Sequence, residues 1–132
     1  MKKILSRQAA FLFVLLMAFA VGFGQIGVAD AAANIKFNAT NVNLPGGCTQ
    51  IIGNFVNHGN EGATVESAVV KITIFDMNGR KIWSDVSNFT DVGVWVPAGG
   101  QVTHQFNIWN DNCPSYNGRV KFQWSVDVFW EK

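Results

Sequence analysis

The final dozen residues alternate with a period of two. Val120, Phe122, Trp124, Val126, Val128 and Trp130 share one parity, and Lys121, Gln123, Ser125 and Asp127 share the other. Successive side chains of a strand point to opposite faces, so this run reads as a half-buried strand with one apolar and one solvated side. Upstream no window sustains a 3.6-residue apolar period, and Gly, Asn and Asp clusters interrupt the chain at short intervals.

Further strands follow from the same pattern. Asn34 to Val42 alternates loosely, and Leu44-Pro45-Gly46-Gly47 reads as a turn. Cys48 to Val56 sets Ile51, Gly53 and Phe55 against Ile52, Asn54 and Val56. Ala63 to Phe75 is the longest run, with Val70, Ile72 and Ile74 on one parity. Asp76-Met77-Asn78-Gly79 predicts a tight hairpin, because an Asn-Gly pair favours positive φ angles. Arg80 to Val86 should return antiparallel with Ile82 inward, leaving Trp83 and Asp85 at an exposed or edge position. A short strand over Val92 to Val96, and one carrying Val102, His104, Phe106 and Ile108, precede the last loop. About seven short strands predict an all-β, two-sheet sandwich of Greek-key type, with a small barrel as the competing arrangement.

The N-terminus carries a different signal. Lys2, Lys3 and Arg7 flank an uncharged apolar run from Ala9 to Gly24, and Ala29-Asp30-Ala31-Ala32-Ala33 follows. A basic start, an apolar middle and a small-residue exit are what export machinery and signal peptidase read. The expected division is a signal peptide over 1–33 and a domain over 34–132, with Ala31 and Ala33 at the −3 and −1 positions. Ala29 and Ala31 form a second candidate pair, and an uncleaved anchor is the alternative. The localisation implied is secreted, periplasmic or cell-surface, with a membrane as partner only if the segment stays.

Removing the leader takes away Lys2, Lys3, Arg7 and Asp30, so ten basic and nine acidic residues become seven and eight. No basic excess remains to attract nucleic acid. All five Trp residues and seven of the Phe lie in the remaining part, enough apolar mass for one core. Cys48 and Cys113 are the only cysteines. In an oxidising compartment two such residues are expected to pair, and closing that loop would be worth about 4 kcal/mol in the entropic model.

Ile51-Ile52-Gly53-Asn54-Phe55-Val56-Asn57, then Val70-x-Ile72-x-Ile74-Phe75-Asp76-x-x-Gly79, then Val96-Pro97-Ala98-Gly99 form a sequence of motifs. Together they resemble the bacterial extracytoplasmic immunoglobulin-like modules of the FxLYD and CARDB type, over roughly residues 49–108. The resemblance implies an immunoglobulin-like sandwich in the cell envelope or outside it, and brings no catalytic residues. The chain departs from the family string at Phe75 and adds two cysteines.

Little else suggests a reaction. His58 lies in a Gly/Asn loop, and His104 has the parity of a partly buried structural histidine. Neither has a nucleophile or carboxylate near it in sequence, as acyl-transfer chemistry would need. Asp85, Asp91, Asp111 and Asp127 are scattered among turns and solvent faces. Asp111 with Asn110 and Asn112 supplies one carboxylate, fewer than a tight calcium loop uses, so no metal and no cofactor is expected. The aromatics are the one feature pointing to a binding surface. Trp83, Trp95 and Trp109 are the candidate ligand-binding residues, while Phe75, Phe89 and Phe129 fall on nominal outer positions. The expectation is a non-catalytic secreted or envelope interaction module that binds a protein or an envelope component. A small carbohydrate-binding module stacking sugars on those Trp residues is the alternative, and a secreted hydrolase the third.

Overall fold

A computed structural model describes residues 2–5 and 32–132, and most of the expected signal peptide, including Ala31 of both candidate cleavage pairs, lies outside them. The described chain is all-β. Its strands are β1 (Lys2–Leu5), β2 (Ile35–Pro45), β3 (Cys48–Asn57), β4 (Ala63–Phe75), β5 (Lys81–Phe89), β6 (Val94–Val96), β7 (Gln101–Trp109), β8 (Ser115–Tyr116) and β9 (Lys121–Glu131). They form two antiparallel sheets. One has the order β1-β9-β4-β5 with β6 also paired to β4, and the other has the order β7-β3-β2-β8.

The two sheets face each other across one apolar core. The first contributes Val65, Ala68, Val70, Ile72 and Ile74 of β4 and Val128 and Trp130 of β9. The second contributes Ile35, Phe37, Val42 and Leu44 of β2, Ile51 and Phe55 of β3, and Phe106 and Ile108 of β7. Phe37 packs edge-on against both Phe55 and Phe106, with centroids 5.1 and 5.0 Å apart. That is the offset geometry aromatic quadrupoles favour.

The parity read for β3, β4 and β9 holds, with every expected inward residue on the core side. Trp124 shares the inward parity beside Ile72 yet is 40% exposed, with its ring 5.8 Å from that of Phe122.

In β5 Ile82 packs against the core as expected, but beyond it the expected parity is reversed. Register shifts by one residue between the Ile74–Trp83 and Phe75–Lys81 pairs, so Ile82 is an extra residue in the strand. A one-residue slip sends every following side chain to the other face. Trp83, Asp85, Ser87 and Phe89 therefore share the face of buried Ile74, Ile72, Val70 and Ala68. Phe89, expected outside, sits 4.8 Å from Phe106 between the sheets.

The Asn-Gly turn also differs. Only Gly79 takes a positive φ (87°), and its N–H donates to the Asp76 carbonyl. This closes a turn followed by one left-handed glycine, the wider hairpin solution, instead of two successive positive φ angles. The Asp76 carboxylate accepts the N–H groups of Arg80 and Asn78, which hold it below the usual carboxylate range.

The expected disulfide is absent. Cys48 and Cys113 are free, buried thiols. Cys113 Sγ contacts the Thr49 hydroxyl at 3.4 Å and donates to the Cys48 carbonyl at 3.3 Å. The Cys113 sulfur is thus directed to the Thr49 hydroxyl and the Cys48 backbone, and no S–S bond joins it to Cys48. Burial, and then the neighbouring Cys113, push the Cys48 thiol up from its ordinary value.

Candidate functional site

The three Trp residues singled out by sequence stand apart, one against the core and two on opposite outer faces. Trp83 lies inward on β5, packed against the core, with a buried indole N–H that has no partner among the described residues. Trp95 is 56% exposed on β6, at the outer side of the first sheet, with its ring laid on Gly62. Trp109 is 75% exposed at the end of β7, on the outer side of the second sheet. No two of them pair, so a multi-Trp stacking platform is not formed.

The histidines are equally separate from acid–base partners. His104 lies against Phe55 and Phe106, with centroids 5.4 and 4.7 Å away, and this burial pushes its imidazole below the ordinary value. His58 is exposed, and its backbone N–H donates to the Asn34 carbonyl. Neither imidazole hydrogen-bonds a carboxylate among the described residues. No group of three or more His, Cys, Asp or Glu comes together there either. Asn110 accepts from Asn112 N within its own loop and donates to Asp85 of β5.

Around Trp109 the structure assembles a surface that single-strand reasoning missed. Strand register aligns β2, β3 and β7 so that their outward residues fall into rows. Asn38, Asn54 and Thr103 form one row, Asn41, Ile52 and Gln105 the next, then Asn43, Gln50 and Asn107. The end of the face is Trp109, which pairs with Cys48. Each of the amides is exposed or half-buried. No outward position of these three strands is Asp or Glu, and Lys36 is the sole charge. The outer side of the other sheet differs, since it carries Lys71, Lys81, Lys121, Asp127 and Glu131.

Such a face runs against ordinary β chemistry. Asn is depleted in strands, and solvent faces near an edge are normally guarded by charge, Lys above all. Here amides are held in place by contacts across the face. Thr103 Oγ1 donates to Asn54 Oδ1 at 2.8 Å, and Gln105 Nε2 donates to Asn107 Oδ1 at 2.8 Å. Thr40, unpaired at a bulge in β2, donates to the Ile52 carbonyl at 3.1 Å. The NH₂ groups of Asn54 and Asn107, and the amides of Asn43 and Gln50, make no hydrogen bond within the described chain, leaving donors and acceptors directed to solvent. The available signal was the recurrence of Asn, Gln and Thr at alternate positions in three runs. It becomes a surface only when the order β7-β3-β2 is known.

No family model matches the chain, and no curated protein matches it. Among solved structures it is similar to Spo0M, the sporulation control protein of Bacillus subtilis, at 13% identity and a TM-score of 0.38, covering 74% of this chain and 42% of that one. It is also similar to the alkylpurine DNA glycosylase AlkC of Pseudomonas fluorescens bound to DNA containing an abasic site analogue, at 12% identity and a TM-score of 0.36, covering 89% and 35%. The chain thus spans less than half the length of either, and at these TM-scores neither likeness bears on activity.

Proposed function

We propose that this protein is an exported, immunoglobulin-like, non-catalytic binding module, and that its binding surface is the outward face of β7, β3 and β2 with Trp109 at its end. The observation that supports this reading is the face itself. Amides in three aligned rows and a three-quarters-exposed Trp stand together, with no carboxylate among them. Export rests on the leader-like order of residues 1–33.

The test is sedimentation of the exported protein with insoluble cell-envelope material. The wild type is expected to pellet with it. Placing two carboxylates on the face with N54E/N107E should lower the bound fraction at least tenfold, whereas K71E on the opposite sheet should leave it unchanged. All three are outward positions, where substitutions usually shift stability by less than about 0.5 kcal/mol. Equal sedimentation of N54E/N107E, or none by the wild type, contradicts the proposal.

A further inference from the structure

We infer that the ligand of the β7–β3–β2 face is an uncharged polysaccharide chain lying along the strands, with one sugar ring stacked on Trp109. This rests on the reading of that face as the binding surface.

Charge excludes most other occupants. Nucleic acid or an anionic glycan calls for clustered Lys and Arg, and the face offers Lys36 alone. A cationic partner calls for carboxylates, and the face has none. A protein partner is generally anchored by a cluster of apolar or aromatic groups at the centre of the patch. Here the centre holds a single aliphatic side chain, Ile52, ringed by Asn54, Gln50, Gln105 and Asn41; Val56 lies toward one end and the one aromatic group, Trp109, at the other, so no apolar cluster forms.

What the face does offer is matched to hydroxyl groups. An amide carries two donors and an acceptor on one short side chain, and a sugar hydroxyl both donates and accepts. Neither side carries charge, so binding removes no ion from water, the costliest form of desolvation. The bonds from Thr103 to Asn54 and from Gln105 to Asn107 fix those amides before a ligand arrives, which reduces the ordering cost of binding. Trp109 adds a broad apolar ring on which the C–H side of a pyranose can lie. From Thr103 to Trp109 the face extends ~20 Å at the usual rise per strand residue. That length suits several linked sugars and exceeds what a monosaccharide needs.

The experiment is affinity electrophoresis of the exported protein through gels containing hydroxyethyl cellulose, laminarin, dextran or galactomannan, with polygalacturonate and carboxymethyl cellulose as charged comparators. At least one neutral polymer should retard the wild type. Trp109→Ala should weaken that retardation at least tenfold, and Trp109→Phe should keep part of it. The melting temperature of Trp109→Ala should stay near that of the wild type, since the side chain is three-quarters exposed. Retardation by the charged polymers alone, by none of the neutral ones, or equally for Trp109→Ala overturns the inference. So does a concentration-dependent dimer that buries Trp109. If envelope sedimentation persists while every neutral polymer fails, the ligand class is wrong and the binding face stands; if both fail, the face itself is refuted.

Discussion

Asn57→Leu is expected to lower the melting temperature by ~20 °C, a loss of about 4 kcal/mol for a domain of this size. Asn57 closes β3 and is 1% exposed, yet its side chain is fully hydrogen-bonded. Oδ1 accepts the N–H groups of Asn34 (3.1 Å) and Gly59 (2.9 Å). Nδ2 donates to the carbonyls of Glu61 (2.8 Å) and Val96 (3.2 Å). One residue thus ties together the segment entering β2, the loop after β3, and β6. Leucine matches the volume and strands four backbone groups, each costing about 1–3 kcal/mol when left unsatisfied in the interior. Asn57→Asp should be at least as damaging, because it turns a carboxylate toward the Glu61 and Val96 carbonyls. Chemical denaturation of the three proteins checks this. A loss below 1 kcal/mol for Asn57→Leu would mean that these bonds do not hold that end of the sandwich.

The second large effect is expected at Gly53, where valine should cost about 3 kcal/mol or more. Gly53 faces inward, between Ala39 of β2 and His104 of β7. The bulge at Thr40 interrupts the register beside it. A Cβ at Gly53 would collide with the Asn38 carbonyl oxygen and lie 2.7 Å from Phe37 Cζ and 2.9 Å from Ala39 Cα. Two of these three obstacles are backbone, so a rotamer change cannot relieve them. Gly53→Ala should already be destabilised, and Gly53→Val more so. A wild-type midpoint for both in a urea titration would show that β2 can move away at little cost.

These two sites were partly visible in the sequence. The parity that Gly53 shares with Ile51 and Phe55 follows from the alternation of residues 48–56, whereas the four bonds of Asn57 depend on segments that only the fold brings together. The strands of β3, β4 and β9 were legible for the same reason, since long period-two runs admit one orientation. Where a bulge intervenes, that logic breaks. Ile82 adds one residue to β5, and no local signal distinguishes it from a regular position, so regular alternation puts Trp83 and Phe89 on the opposite face from the one they occupy. Spacing along the chain does not show that the Cys113 thiol is directed to the Thr49 hydroxyl and the Cys48 carbonyl, so the pairing expected of two exported cysteines is not formed. The amide face depends on non-local register. Asn43, Gln50 and Asn107 are far apart in sequence, and only pairing of β3 with both β2 and β7 makes them neighbours. Of the candidate Trp residues, Trp109 alone stands on that face.

The most direct measurement of the central claim is a ¹H–¹⁵N spectrum of the exported protein titrated with an oligosaccharide cut from the polymer that retards it. Movement of the Trp109 indole N–H and of the Asn54, Gln105 and Asn107 side-chain NH₂ signals, with Trp95 and the backbone of Lys71 still, is the predicted result. Shifts centred on Trp95 or on the outer side of β4, β5 and β9, with the Trp109 signal unmoved, would contradict it.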